Sequence, residues 1–193
     1  MKIYFHLSIE EFTNGYVIIN DDPSVMEALI VDPAKINKEL INQIEAGPYK
    51  LTTVLVTHNH TNHVKGLATL KKIYSPDVYA ADYDVAGNQT VVLRGDGRIR
   101  VAGMDVEYYS VPGHSADSMV YKIGNVLFTG DTITSGIIGE TSNKYSRKLL
   151  MEKIQEKVFS QTDIMVIMPG HGPPSTVESE KQYNLDMTDM ERF

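Results

Sequence analysis

Cysteine and tryptophan are both absent from this chain of 193 residues. Without cysteine there are no disulfide bonds, no thiol nucleophiles and no thiolate ligands for a metal ion. The sequence also contains no apolar run of 18 residues, so we expect no membrane span. The chain opens directly into a strand-like segment at residues 2–7, without the pattern of a signal peptide. Together these absences favour a cytoplasmic protein.

Basic residues are also scarce. The chain has 18 Lys and Arg against 25 Asp and Glu, which gives a formal net charge of −7. Binding to nucleic-acid phosphates depends on clustered Lys and Arg, so this composition disfavours a nucleic-acid partner. The most basic segment, residues 94–100, is interrupted by a Gly-Asp-Gly turn and is predicted to be a hairpin.

The positions of the histidines are the most informative feature of the sequence. Five of the six histidines lie in motifs that follow short apolar runs, and the densest motif is Thr57-His58-Asn59-His60-Thr61-Asn62-His63. His114 and His171 each end a Pro-Gly-His turn, and Asp131 follows a fourth apolar run. Apolar runs bounded by Gly or Pro are typical of buried strands. We therefore expect four strand ends to bring these side chains together.

Imidazole and carboxylate groups are the usual ligands of zinc, iron and manganese. In a His-x-His turn, both histidines can bind one metal, whereas the spacing of His63 directs it elsewhere. The spacing therefore predicts two metal sites, formed by His58, His60 and His114 and by His63, His171 and Asp131, with Asp131 able to bridge both metals. The sixth histidine, His6, is expected to be a packing or edge residue.

Hydrophobic periodicity predicts the elements around these motifs. Strands are expected at residues 2–7, 15–20, 26–31, 104–111, 118–123 and 125–128. Helices are expected at residues 34–45, 64–74 and 143–159. Residues 175–186 should pack last, and residues 187–193 are expected to form a frayed tail.

The histidine motifs resemble the signature of the metallo-β-lactamase superfamily, His-x-His-x-Asp-His followed by a distant His, an Asp and a last His. Val31-Asp32-Pro33 resembles an early family motif, and residues 126–132 and 169–176 resemble the small glyoxalase II-like branch. The resemblance covers nearly the whole chain. It implies one domain over residues 1–193 with an α/β fold, the αββα sandwich of two mixed sheets flanked by helices. Asp32 is then expected to support the loop at residues 58–63.

Asn62 departs from this signature, because the family's hydrolases carry there an Asp that ligates the second metal and handles a proton. An amide is neutral and scarcely basic, so Asn62 is predicted to be a weak or lost ligand. Losing only an outer partner of a metal ligand typically costs about 10–100-fold in affinity or activity. A second departure is Gly139-Glu140, where the hydrolases often have a Gly-Arg pair that contacts the substrate.

Two functions stay open. With Asp131 as the sole carboxylate ligand, two divalent metals should hold an anionic bridge, such as hydroxide or peroxide, more firmly than in the family pattern. The first hypothesis is a resemblance to the oxygen-binding diiron proteins related to flavodiiron domains. It implies iron, with zinc as the alternative, bridging peroxide formed from oxygen, and a chemoreceptor or kinase signalling partner.

The second hypothesis is a glyoxalase II-like hydrolase of thioesters or small esters, in which a metal-bound water is the nucleophile. We favour the first, because Asn62 removes a proton acceptor. The expected ligand is thus oxygen or another small anionic ligand. Catalytic residues are not assigned, and the sequence leaves a homodimer open.

Overall fold

The computed structural model describes residues 1–188 of the chain. Eight strands come from the first half of the chain: β1 (Lys2–Ser8), β2 (Thr13–Ile19), β3 (Glu27–Val31), β4 (Lys50–Leu55), β5 (Asp77–Ala80), β6 (Asp84–Val85), β7 (Asn88–Gln89) and β8 (Val91–Val92). β6 and β7 form a small hairpin, and the other six form one mixed sheet in the order β1-β2-β3-β4-β5-β8.

The second half of the chain forms the second sheet. Its strands are β9 (Gly97–Val101), β10 (Met104–Ser110), β11 (Met119–Ile123), β12 (Val126–Gly130), β13 (Val166–Pro169) and β14 (Ser175–Thr176). Their order is β14-β13-β12-β11-β10-β9, and β12 pairs with β13 in parallel as β3 does with β4. The two halves thus share a unit of three antiparallel strands, a helix and a parallel strand.

Helices cover the outer face of each sheet. They are α1 (Lys38–Glu45), α2 (Thr61–Val64), α3 (Leu67–Ile73), α4 (Lys144–Lys157), α5 (Val177–Tyr183) and α6 (Leu185–Thr188). Between the sheets lies a core that includes Tyr16, Leu29, Tyr121 and Phe128, all at most 2% exposed. These layers confirm the predicted αββα sandwich. Within residues 1–188, no helix combines the length and the apolar character needed to cross a membrane.

Several predicted boundaries were wrong for local reasons. The helix predicted from residue 34 begins at Lys38, because the side chain of Asn37 accepts a hydrogen bond from the Leu40 amide (2.8 Å) and caps it. The helix predicted at 64–74 is two helices, α2 and α3, separated by Lys65 and Gly66.

Two further predictions failed because they depended on tertiary context. Residues 94–100 are not a hairpin, because β8 belongs to the first sheet and β9 to the second, so this segment links the sheets. The frayed tail does not begin at Met187, which lies in α6 and is 7% exposed. The rest of that predicted tail, residues 189–193, lies outside the described residues.

Candidate metal centre

The strand ends that carry the histidine motifs meet at one edge of the sandwich. β10 and β12 both run antiparallel to β11, and β13 runs parallel to β12, so all three end at the same edge. His114, Asp131 and His171 follow these three ends. In the first sheet, the chain leaving β4 passes through His58 and His60 into α2, which carries His63. The structure therefore brings all six predicted residues together.

The first cluster consists of His58, His60, His114 and Asp131, whose ligand atoms lie within 4.8 Å of one another. The Nδ1 atom of His60 is 3.0 Å from His58 Nε2 and 3.1 Å from His114 Nε2. Tetrahedral zinc with bonds of about 2.0–2.1 Å to nitrogen would place its ligands roughly 3.3 Å apart. These separations fit three imidazoles bound to one metal ion.

The second cluster consists of His63, Asp131 and His171. Asp131 Oδ1 lies 3.3 Å from His63 Nε2 and 2.7 Å from His171 Nδ1. The other oxygen, Oδ2, faces the first cluster at 3.7 Å from His114 Nε2 and 3.9 Å from His58 Nε2. The carboxylate therefore stands between the clusters with one oxygen toward each, as a bridging ligand requires.

A buried carboxylate behind the clusters orients ligands of both. Asp32, 2% exposed, accepts hydrogen bonds from the Thr57 amide (2.8 Å), the Thr57 hydroxyl (2.6 Å) and His63 Nδ1 (2.9 Å). Since the Thr57 hydroxyl donates to Asp32, its oxygen is left to accept from His58 Nδ1, 3.0 Å away. Both histidines thereby keep a proton on Nδ1, and Nε2 is the nitrogen that faces the clusters.

The backbone orients a third histidine in the same way. His114 Nδ1 donates to the carbonyl oxygen of Glu140 at 2.8 Å, so Nε2 is the nitrogen that faces the first cluster. His63 Nε2 is buried and has no hydrogen-bond partner among the residues that the structure describes. Buried polar atoms are normally satisfied. Three Nε2 atoms thus face the clusters, and a metal ion fits as the missing partner of the one that has none, that of His63.

Ionisation of the side chains differs between the clusters. Burial, assisted by the nearby His63, lowers the pKa of His58 to about 3. Burial also acts to lower the pKa of His63, but the carboxylates of Asp32 and Asp131 outweigh it and raise this pKa to about 9. His171 and His63 hold the pKa of Asp131 far below its usual range, against the opposing effect of burial. Without a metal ion, His63 and Asp131 thus form an ion pair at neutral pH.

Close packing around the clusters explains the Pro-Gly-His turn before His171. A Cβ on Gly170 would overlap the ring of His63 and the carboxylate of Asp131. Only glycine fits this approach.

Asn62 and His6 behave differently from the five clustered histidines. The amide nitrogen of Asn62 lies 3.1 Å from the hydroxyl of Thr13 and 3.2 Å from His171 Nε2, so it turns its nitrogen toward the second cluster. Thr13 was not among the predicted site residues, because it belongs to no recognisable motif. His6 joins neither cluster: its Nε2 atom lies 2.6 Å from Gln43 Oε1 of α1, and burial lowers its pKa.

The family model of the metallo-beta-lactamase superfamily matches residues 10–171. The chain belongs to the metallo-β-lactamase superfamily, as its motifs predicted. Within the family it is 28% identical to an uncharacterized protein of Treponema pallidum (strain Nichols) over 176 residues, which cover 91% of this chain and 94% of that one. It is also 28% identical to a hydroxyacylglutathione hydrolase of Pseudomonas fluorescens (strain SBW25) over 179 residues, covering 92% of this chain. The match spans only 66% of that hydrolase.

Solved structures agree on the fold. The crystal structure of ETHE1 from Myxococcus xanthus matches with a TM-score of 0.87 at 22% identity, covering 99% of this chain and 90% of that one. The structure of TTHA1623 in a di-iron-bound form matches with a TM-score of 0.72 at 21% identity, covering 90% and 94%. At such identities the matches establish a shared architecture, which hosts more than one chemistry.

Proposed function

We propose that this protein binds molecular oxygen at a pair of metal ions, with iron favoured over zinc, and acts as a cytoplasmic oxygen sensor. The observation that carries the proposal is the amide of Asn62, which faces His171 where the family signature has a carboxylate. A hydrolase needs a proton acceptor beside its nucleophilic water. A binding protein needs a site where a small anion stays.

The carboxylates near the clusters are poor proton acceptors. The low pKa of Asp131 makes it a weak base at neutral pH. Asp32 already accepts three hydrogen bonds, from the amide and hydroxyl of Thr57 and from His63. Asn62 has no basicity to contribute. A ligand bound between the clusters would therefore find little help in gaining or losing protons.

The metals, if they are ferrous, would supply the electrons that oxygen binding consumes. The residues supply position and charge. Asp131 is the only carboxylate in the two clusters within residues 1–188, so it offsets little of the positive charge of two divalent ions. This balance favours an anionic ligand.

The loop between β12 and α4, which contacts His114, supports a sensing role. In this loop the carbonyl oxygen of Glu140 accepts a hydrogen bond from His114. Two backbone amides that precede Glu140 form hydrogen bonds with the C-terminal helices. The Gly136 amide lies 3.0 Å from a carboxylate oxygen of Glu180, and the Ile138 amide donates to Asp186 at 2.9 Å. These hydrogen bonds connect His114 to α5 and α6, and a shift of His114 would act on the two helices through them. We extend the proposal to a chemoreceptor or kinase partner that responds to this change.

A metal-dependent hydrolase is the second candidate. The similarity to hydroxyacylglutathione hydrolases favours it, together with the two metal-ligand clusters. In that case the substrate would be a thioester or a small ester, and the metals would lower the pKa of a bound water to about 7.

One experiment separates the two candidates. Protein loaded with ferrous iron without oxygen is exposed to air while its visible spectrum is recorded, and zinc-loaded protein is assayed with a hydroxyacyl-glutathione thioester. Oxygen binding predicts a new absorption band in the iron form and slow hydrolysis by the zinc form. Rapid hydrolysis without any spectral response to oxygen would establish the hydrolase instead.

A further inference from the structure

A buried hydroxyl at the start of β2 touches the second cluster. Thr13 is fully buried, and its backbone forms an isolated bridge with His171. Its Oγ1 atom lies 3.1 Å from the carbonyl oxygen of Glu11, 3.1 Å from Asn62 Nδ2 and 3.3 Å from His171 Nε2. Of these three partners, His171 and Asn62 occupy ligand positions of the family signature, whereas Glu11 lies outside it.

Counting protons fixes the orientation of the Asn62 amide. A hydroxyl has one hydrogen to donate, and that of Thr13 is directed to Glu11 O. Toward Asn62 the hydroxyl oxygen can then only accept, so the amide must present its nitrogen and not its oxygen. The second hydrogen of the same nitrogen is available to His171 Nε2, 3.2 Å away.

This arrangement leaves His171 with both ring nitrogens engaged. Its Nδ1 atom donates to Asp131 Oδ1 at 2.7 Å, and its Nε2 atom accepts from Asn62. His58 and His114 differ, because each binds an outer partner through Nδ1, and the Nε2 atom of each contacts Nδ1 of His60, another residue of the first cluster. His63 binds Asp32 through Nδ1, and its Nε2 atom faces Asp131 Oδ1 at 3.3 Å. A metal ion at the second cluster must therefore displace a hydrogen bond of His171.

We propose that Thr13 is a positioning residue that weakens the second metal site. Its hydroxyl holds the Asn62 amide with the nitrogen toward His171, which occupies a lone pair that a metal would use and turns the amide oxygen away. The inference rests on the dinuclear site of the proposed function, but not on oxygen being its ligand. Thr13 would thus set the metal affinity of the second position.

The test is a zinc titration of metal-free full-length protein in competition with a chromophoric chelator. Thr13→Val keeps the shape of the side chain without its hydroxyl, and Thr13→Ser keeps the hydroxyl. In Thr13→Val the second equivalent of zinc should bind about tenfold more tightly, roughly 1.4 kcal/mol, while the first equivalent stays within about twofold. Thr13→Ser should match the wild type.

Asn62→Ala provides an independent arm. It removes the amide that covers His171, so it too should tighten the second equivalent, and adding Thr13→Val to it should have no further effect. Weaker or unchanged second-site binding in Thr13→Val, at an unchanged melting temperature of the metal-free protein, would show that Thr13 only supports the fold. If Thr13→Val does not fold, weaker second-site binding in Asn62→Ala overturns the proposal by itself. Absence of any zinc binding by the wild type would remove the proposed function together with this inference.

Discussion

The two clusters use the same kind of side chain but hold it differently. In the first cluster, His58 and His114 bind outer partners through Nδ1, and their Nε2 atoms contact another candidate ligand of the same cluster, His60. In the second cluster, His171 is engaged on both sides, and an amide stands where the signature has a carboxylate. If both clusters hold metal ions, replacing the carboxylate of the signature by the neutral amide of Asn62 alters the surroundings of the second position and leaves those of the first unchanged.

The residue common to both clusters should give the largest effect. Among residues 1–188, Asp131 is the only carboxylate common to both clusters. In Asp131→Ala we therefore expect zinc affinity to fall at least about 100-fold at the first and the second position alike. His171→Ala should affect the second position alone. Two-step zinc titration measures this, and selective loss at one position in Asp131→Ala would contradict a bridging role.

Restoring the family's carboxylate should make the clusters more alike. Asn62→Asp adds an anionic ligand and a proton acceptor, so the second metal should bind about 10–100-fold more tightly. Thioester hydrolysis should rise, or the absorption band formed by the iron protein in air should decay faster. The rate of metal removal by a chelator, compared between the two positions, checks the assignment; equal rates from both positions that this substitution leaves unchanged would refute it.

The two clusters should differ in how strongly their metal affinity depends on pH. The pKa of His63, raised to about 9, keeps this residue protonated at neutral pH, so a metal at the second position must displace a proton. The metal affinity of the second position should rise about tenfold per pH unit between pH 6.5 and 8.5 and level off above the pKa of His63. Burial keeps His58 neutral over this range, so first-site affinity should depend less on pH.

Calorimetry in buffers of different ionisation enthalpy counts the protons released in each step. Identical proton release in both steps would remove this distinction between the clusters.

The smallest expected effect concerns Thr57. Thr57→Val removes the hydroxyl that links Asp32 to His58, while the bond from Asp32 to His63 remains. First-site affinity should fall by about 10-fold or less, with the second site unchanged. Thr57→Ser is the matched control, and an equal loss at both sites would mean that Asp32 itself had shifted.

Local sequence was sufficient to predict the positions of the clustered side chains. Each follows an apolar run at a strand end, and parallel strands deliver such residues to one edge. The contact of Thr13 with Asn62 and His171 could not be predicted, because 49 and 158 residues separate them along the chain. It depends on how the β1–β2 hairpin docks on the second sheet.

The failed hairpin at residues 94–100 has a related cause. A turn signal predicts a change of direction but not which sheet receives the next strand, and here the chain crosses between the sheets. By contrast, the late start of α1 was available in the sequence. Asn37 precedes the helix in the position of a capping residue.

Metal binding could stabilise this cysteine-free chain, because the two sheets come from different halves of the sequence. Each sheet comes from one half of the chain, and each cluster draws ligands from both halves. A metal ion at either position would therefore act as a cross-link between the halves, fastening them as a disulfide would in another protein. Since such an ion binds only the folded chain, its affinity adds to the free energy of unfolding. The supply of such a metal ion would then change the stability of the folded protein.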